Sequence, residues 1–231
     1  MMVDADTPEG SHARSGASRE RARAHLRQAD PVVARLIDER PDFDPRAWLG
    51  GLPPMDLFGA LVFQIVGQQL SVQATRRILE RIQARCDGHL PSPAELLSLA
   101  PEDLRAAGLS RRKVATLRDL AGHFADGRLD ERRLARLSDA EVEARLTEIS
   151  GIGPWTVHGA LIIAFDRQDV VLPGDLALRK AMQAAYGLDH VPTPEEVRTI
   201  AERWRPYRTL ATSYLFASAF DAVGSADLDA S

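Results

Sequence analysis

The sequence predicts an all-α fold. Helical periodicity recurs from about Ser18 to Phe220, whereas the β-branched runs are short and lie inside helical patterns. Ser138-Asp-Ala-Glu141 and Thr193-Pro194-Glu-Glu196 have the capping-box pattern that opens a helix. These observations predict about eleven or twelve helices joined by short loops.

The two ends of the chain read as tails. Residues 1–18 are small, polar and contain Gly and Ser, so we expect a disordered segment, and we expect another at 224–231. Helical patterns begin near Ser18 and continue over 31–40. Three apolar residues of the Pro/Gly-rich connection that follows are predicted to fill the core: Phe43, Trp48 and Leu52.

An apolar helix is predicted over residues 56–66, and Ser71 is placed to cap the next helix. Between them stands Gln68-Gln69-Leu70. Paired glutamines at a helix end are commonly just solvated, so this pattern alone leaves their role open. Farther on, Ser110 is predicted to cap a helix over 111–124, whose first turn is basic; that cluster is either a solvated face or a phosphate contact.

A glycine turn follows the helix that Ser138 opens. We expect Gly151 and Gly153 to allow positive φ and close approach of a ligand, and Pro154 suits the first position of the next helix. The start of that helix would direct unpaired N–H groups and a positive dipole end outward, which favours a phosphate. An ordinary αα-hairpin turn explains the same residues equally simply.

Asp175 follows the short apolar run 170–174 and precedes another helical pattern. Asp is a preferred N-cap residue, so capping is one interpretation. The other is a carboxylate held in a half-apolar cleft, where it can stabilise a cation or activate a water. The two interpretations are compatible.

Composition excludes several classes of protein. The single cysteine, Cys86, rules out a disulfide within the chain and a four-cysteine metal or iron–sulfur site. No apolar run approaches the roughly 18 residues of a membrane helix. The net charge is −4, but the first ten and the last eleven residues together hold six acidic side chains and no Lys or Arg. Residues 11–220 therefore carry a charge of +2, and DNA contact would have to be local. We expect a cytoplasmic protein with no membrane segment.

Together, these motifs resemble a known family, the helix-hairpin-helix (HhH-GPD) DNA glycosylases, specifically the 3-methyladenine DNA glycosylase II (AlkA-type) branch. The resemblance covers about residues 56–220 in the family's order. The segments that carry it are Gln68-Gln69-Leu70-Ser71-Val72, Gly108-Leu109-Ser110-x-x-Lys113, Leu146-x-x-Ile149-x-Gly151-Ile152-Gly153-x-Trp155-Thr156, Asp169-Val-Val-Leu-Pro-Gly-Asp175-Leu176, Trp204-Arg-Pro206-Tyr207-Arg208 and Tyr214-Leu215.

The resemblance implies two helical lobes with a DNA-reading cleft between them. The terminal lobe would comprise residues 19–60 and 175–223. The central lobe would comprise residues 61–174, with the helix-hairpin-helix motif at about 140–165. The best-known members carry an additional N-terminal β domain, which we do not expect here.

The resemblance also implies base excision repair of alkylation damage, by hydrolysis of the N-glycosidic bond of a base flipped out of duplex DNA. Alkylated purines such as 3-methyladenine and 7-methylguanine would be the substrates, and damaged double-stranded DNA the partner of a monomeric enzyme. The family's pattern assigns roles to the following residues: Asp175 as catalytic carboxylate; Trp155 and Phe216 in the base pocket; Gly151, Ile152, Gly153 and Thr156 as the DNA-binding hairpin; and Gln69 or Leu70 as the wedge that fills the gap in the duplex. Gly159, where relatives often carry an aromatic residue, is expected to open the pocket.

Bifunctional relatives carry a lysine that cuts the strand, and Trp155 occupies that position here. Lys180 points away from Asp175 on a helix, and Lys113 is far from the hairpin in sequence. We therefore expect a monofunctional enzyme without lyase activity. No cofactor is expected, apart from a Na⁺ or K⁺ ion that the backbone of Gly151 and Gly153 could hold by family resemblance.

Two alternatives remain. The chain could be a non-catalytic helix-hairpin-helix DNA-binding protein, in which Asp175 would have no catalytic role. It could also be a glycosylase for another damaged base, oxidised or deaminated.

Overall fold

The computed structural model describes the backbone of residues 8–47 and 55–228 and the side chains of residues 18–47 and 55–219. Over these ranges it is helical and contains no strand, which confirms the predicted all-α class. Trp48, Leu52 and the outermost parts of both predicted tails (1–7 and 229–231) lie outside the described residues.

In chain order, the α-helices are α1 (Pro8–Ala29), α2 (Pro31–Glu39), α3 (Leu57–Gly67), α4 (Val72–Gln83), α5 (Pro93–Ser98), α6 (Pro101–Ala106), α7 (Arg111–Ala125), α8 (Glu131–Leu134), α9 (Asp139–Leu146), α10 (Pro154–Phe165), α11 (Leu176–Tyr186), α12 (Pro194–Ala201) and α13 (Arg208–Leu228), with a 3-10 turn at Glu202–Trp204. The first helix begins at Pro8, inside the segment predicted as a tail, because Pro suits a helix start and the Ala- and Arg-rich sequence that follows favours helix. Likewise, α13 runs into the predicted C-terminal tail.

The chain forms two compact units. A terminal unit combines residues 1–50 and 168–231, and a central unit comprises residues 51–167. The predicted boundaries fell at 60/61 and 174/175. The first boundary cannot lie there, because α3 is one helix whose first four residues are buried like the rest of it. The second is displaced because the segment after residue 167 bonds to α13.

In the central unit, α3 is the core. It is apolar on all sides and nearly all of its residues are buried, with α4, α7 and α10 packed against it. Asp56 caps its start through a 2.7 Å hydrogen bond from the Gly59 N–H. A helix that is apolar all round is stable in water only inside such a packing. It therefore fixes the positions of the other helices in the unit.

The terminal unit is organised around a buried carboxylate, Asp30, whose exposed fraction is 0%. It caps α2 and accepts hydrogen bonds from the Trp204 indole at 2.9 Å and the Tyr186 hydroxyl at 2.7 Å. Burial and the adjacent Asp30 carboxylate raise the pKa of Tyr186, so that hydroxyl stays protonated and keeps donating. Asp30 thereby joins α2, α11 and the 3-10 turn.

Among the described helices, none is both long and apolar enough to cross a membrane.

Candidate active site

The glycine turn between α9 and α10 is held from one side by α7. Ser138 opens α9 with the predicted capping box. Gly151 has φ of +93°, and a Cβ there would lie 2.2 Å from Thr116 Oγ1. The same hydroxyl donates to the Ser150 carbonyl oxygen at 2.9 Å. Gly151 is thus required twice, by its backbone conformation and by the closeness of α7.

Gly153 plays a different part from the one predicted. Its φ is −113°, which is extended backbone, so the expectation of positive φ is wrong here. It is the N-cap of α10, no side chain caps the N–H groups of that helix start, and a Cβ would meet no described atom within 4 Å. The turn reverses at Gly151 alone, and Gly153 leaves the start of α10 open to a ligand.

Gln68 joins the hairpin to the end of α3. Its Nε2 atom donates to the Gly151 carbonyl oxygen at 3.1 Å and to Thr156 Oγ1 at 3.0 Å. The sequence left this residue open between a solvated side chain and a functional one. The structure shows a half-buried amide that fixes the turn and the first turn of α10 together.

Two residues predicted to contact DNA point inward instead. The Thr156 side chain is 2% exposed and its hydroxyl is occupied by Gln68. The Ile152 side chain is buried, and its N–H donates to the Ile149 carbonyl oxygen. Both side chains support the turn from within, since Ile152 fills the space beneath it and Thr156 bonds to Gln68, and their contact with DNA stays a prediction.

Lys113 lies near the hairpin, contrary to the expectation drawn from its distance along the chain. Its Nζ atom donates to the carbonyl oxygens of Val66 and Gln68, each at 2.8 Å, at the C-terminal end of α3. These are carbonyls that the helix itself leaves unpaired, and a cation complements the negative end of the dipole. Burial lowers the pKa of Lys113. This lysine is a helix cap, whereas Arg111 and Arg112 are exposed.

The wedge candidates lie on the turn after α3. Gln69 is exposed and has φ of +60°, a left-handed conformation that non-glycine residues seldom adopt. Leu70 is 42% exposed, which is unusual for a large apolar side chain in this protein. Ser71 then caps α4 as predicted. Both candidate side chains are exposed on a turn whose backbone is held by hydrogen bonds.

Trp155 is half-buried on α10, and Gly159 lies one helical turn after it. The space beside Gly159 is not empty. A Cβ there would lie 2.3 Å from Gln64 Nε2 and 2.8 Å from Gln64 Oε1. The expectation that Gly159 opens the pocket is therefore wrong, because the Gln64 amide from α3 occupies the space of the missing side chain.

The backbone oxygens predicted to hold a monovalent cation are already in use. The Gly151 oxygen accepts from Gln68, and the Gly153 oxygen accepts from the N–H groups of Thr156 and Val157. A carbonyl oxygen has two lone pairs, so the Gly151 oxygen keeps one available whereas the Gly153 oxygen has both engaged, and the cation site stays a prediction. Within the described residues, no cluster of His, Cys, Asp and Glu side chains could hold a metal.

Asp175 lies in the terminal unit, at the start of α11. Its Oδ1 atom accepts from the Leu178 N–H at 2.8 Å, which confirms the capping interpretation. The side chain is half-buried, beside the buried segment 170–173, and Leu176 after it is 55% exposed. The N-terminal end of a helix dipole is a favourable position for a carboxylate. The same residue can thus cap the helix and present negative charge.

Arg208 holds the segment before Asp175. Its guanidinium binds Asp169 with a 2.7 Å hydrogen bond from Nε and is largely buried. The Thr209 hydroxyl accepts from the Val170 N–H at 3.0 Å. This ion pair inside the fold fixes the segment that leads to Asp175. Phe216 is half-buried farther along α13, the helix against which α11 packs.

Within the central unit, the structure thus brings Gln68, Lys113 and Thr116 to the hairpin, and Gln64 to the Trp155 side of α10. Asp175 and Phe216 belong to the terminal unit. The sequence contained no local sign of the roles of Gln68, Gln64 and Thr116. Gly159, opposite Gln64, and Gly151, opposite Thr116, indicate only that another residue comes close.

Comparison with known families matches residues 62–206 to the model described as HhH-GPD superfamily base excision DNA repair protein. The DNA-3-methyladenine glycosylase 1 of Schizosaccharomyces pombe is 32% identical over 198 residues, which cover 85% of this chain and 86% of the relative. The DNA-3-methyladenine glycosylase 2 of Escherichia coli is 26% identical, over 68% of this chain and 54% of the relative.

Solved structures of 3-methyladenine DNA glycosylases are similar to this chain in fold. The Schizosaccharomyces pombe 3-methyladenine DNA glycosylase in complex with abasic DNA superposes with a TM-score of 0.74 at 31% identity, over 85% of this chain and 95% of that one. The 3-methyladenine DNA glycosylase from Archaeoglobus fulgidus gives a TM-score of 0.71 at 26% identity, over 84% of this chain and 67% of that one.

Proposed function

Because this chain belongs to the HhH-GPD superfamily of base excision DNA repair proteins, we propose that it is a monofunctional DNA glycosylase. It hydrolyses the N-glycosidic bond of alkylated purines, of the 3-methyladenine and 7-methylguanine type, and leaves an abasic site. The observation that carries the proposal is the presence in one chain of an open, uncapped helix start behind a glycine turn and of an ionisable carboxylate, Asp175, at a second helix start.

Asp175 supplies the chemistry. Departure of the base leaves positive charge on the deoxyribose, and a fixed carboxylate stabilises that oxocarbenium-like state more than it stabilises the substrate. A water then adds to the sugar carbon and loses a proton to solvent or to the carboxylate. Purines alkylated at N3 or N7 are already cationic, so they leave without a dedicated acid.

The hairpin binds the phosphate backbone of DNA. The open start of α10 offers backbone N–H groups and the positive end of a helix dipole to a backbone phosphate. Gly153 lets the phosphate approach, while Gly151 makes the reversal and Gln68 keeps the turn rigid. Such contacts fix register on the duplex without reading its sequence.

Base flipping needs a wedge and a pocket. Gln69 and Leu70 are exposed on the turn after α3, and one of them fills the gap that the extruded nucleotide leaves in the duplex. Trp155 offers an aromatic face to a cationic base through cation–π attraction, and Phe216 is a second aromatic candidate for base recognition, in the terminal unit.

The reaction stops at the abasic site because neither lysine of the chain, Lys113 or Lys180, acts as a nucleophile. Strand cleavage needs a free lysine amine to attack the sugar. Lys113 is bonded to the end of α3, and Trp155 stands where lyase-type relatives carry their lysine. We further propose that the enzyme works as a monomer on damaged double-stranded DNA, in the cytoplasm and associated with the nucleoid.

Base release from methylated DNA by wild type and Asp175→Asn, without metal or reductant, tests the proposal. Asn keeps an oxygen acceptor for the Leu178 N–H, so α11 should remain capped. We expect the variant to release bases at least about a hundredfold more slowly, yet to bind abasic DNA like wild type. Asp42→Asn, on an exposed residue of the terminal unit, is the matched control.

Equal release by wild type and Asp175→Asn would remove Asp175 from the mechanism. Binding to abasic DNA without release by wild type would favour a non-catalytic DNA-binding protein or a glycosylase for another lesion. Oxidised or deaminated bases in the same assay distinguish these two.

A further inference from the structure

The side chain of Gln64 ends in a position that packing alone does not explain. It projects from α3, the apolar core helix, and is only 7% exposed. No described residue hydrogen-bonds its amide. Both amide atoms keep some contact with solvent, since neither is among the fully buried unpartnered atoms of the described side chains. The amide therefore borders a space that a small polar group can reach.

An amide in this state is costly. A polar group that keeps only slight contact with water and has no protein partner destabilises the fold. Every other position of α3 that is equally buried is apolar or glycine. A methionine or leucine would fill the same volume without the cost, so the amide is explained by a partner that arrives later.

The position beside α10 indicates what kind of partner this is. The amide presses on Gly159, and Trp155 lies one turn earlier on the same face of that helix. An aromatic residue at position 159 would offer a stacking face there. This chain instead places one N–H donor beside one carbonyl acceptor.

We propose that Gln64 is a specificity-determining residue whose amide hydrogen-bonds the edge of the extruded base and selects adenine-type lesions. This inference rests on the proposed glycosylase function. An adenine edge presents the N6 amino donor beside a ring-nitrogen acceptor, and a glutamine amide matches that pair with two hydrogen bonds. The corresponding edge of 7-methylguanine carries an oxygen acceptor beside a methylated nitrogen, and it matches poorly.

Gln64→Met keeps the length of the side chain and removes both hydrogen bonds. DNA treated with a methylating agent contains 3-methyladenine and 7-methylguanine together, so one reaction reports both release rates by chromatography. We expect the variant to release 3-methyladenine about tenfold more slowly relative to 7-methylguanine than wild type does. Release of 7-methylguanine itself should stay within about threefold.

Two further variants separate recognition from packing. Gly159→Ala should displace the amide by steric clash and lower the same ratio, and it should add nothing to Gln64→Met in the double variant. Gln28→Met makes the same chemical change at an exposed residue of α1 and should leave the ratio unchanged. Melting temperatures confirm that each variant is folded.

An unchanged ratio in folded Gln64→Met would overturn the inference and leave the glycosylase function intact. Release of neither base by wild type would instead count against the proposed function, and the inference would fail with it. A lowered ratio in Gln64→Met that Gly159→Ala does not reproduce would also contradict the geometry.

Discussion

Replacing Gly151 by Ala should destabilise the protein through two separable terms. The left-handed φ of +93° costs a non-glycine residue about 1–2 kcal/mol. The new methyl group would lie 2.2 Å from Thr116 Oγ1. Relieving that overlap costs a further 1–3 kcal/mol or so, the usual range for overpacking. We therefore expect a loss of about 2–5 kcal/mol in the free energy of unfolding.

A double-mutant cycle with Thr116→Ala separates the terms. Thr116→Ala alone removes the hydrogen bond to the Ser150 carbonyl and should cost about 1 kcal/mol. In that background Gly151→Ala should cost only the backbone term, about 1–2 kcal/mol, because the hydroxyl and its methyl neighbour are gone. Urea unfolding followed by circular dichroism measures each value.

Gly153→Ala is the matched control. The extended φ and the open space at Gly153 predict a loss in stability below about 1 kcal/mol. Its added methyl group would stand in the path of the phosphate that we propose to bind there, so affinity for abasic DNA should fall although the fold is kept. Equal costs for Gly151→Ala with and without Thr116 would refute the steric argument. An undiminished DNA affinity of Gly153→Ala would refute the phosphate site.

Three further outcomes are expected. Asp30→Asn turns an amide N–H toward donors that now bind the carboxylate. It should lower the free energy of unfolding, measured in urea, by about 3–5 kcal/mol. A loss below about 1 kcal/mol would contradict the central role of Asp30. The Ser138 hydroxyl and N–H lower the pKa of Glu141, so Glu141→Gln should lower the melting temperature at neutral pH. That difference should vanish as the pH falls through the lowered pKa, and a difference independent of pH would contradict the assignment. Lys113→Met leaves the end of α3 without its donor and should lower both the melting temperature and the affinity for abasic DNA, while borohydride traps no DNA adduct with either protein. A wild-type adduct that Lys113→Met abolishes would show that Lys113 acts as a nucleophile.

Local patterns predicted the parts of the structure that depend on near neighbours in the chain. The caps at Ser71, Ser110, Ser138 and Asp175 each bond to a backbone N–H three residues ahead, so the sequence alone is enough to place them. Uniform helical periodicity likewise predicted the all-α class. The family resemblance then connected these helices to a reaction, which periodicity cannot do.

Contacts between distant segments were not predictable. Gln68 bonds to a residue 83 positions away, and Lys113 to one 45 positions away. The error at Gly159 has the same origin, because an absent side chain predicts space only if nothing else enters it. Gly151 and Gly153 look alike in the sequence, and only the surrounding backbone shows which of them carries the positive φ.

The division of the chain has a consequence for its synthesis. The central unit is one continuous stretch, so all of its helices are available for packing once residue 167 has left the ribosome. The terminal unit is discontinuous: α1 and α2, made first, must wait for α13, made last. Translation that stops after residue 167 therefore yields at most the central unit, and α11, with Asp175 at its start, gains its packing partner only once α13 has been made.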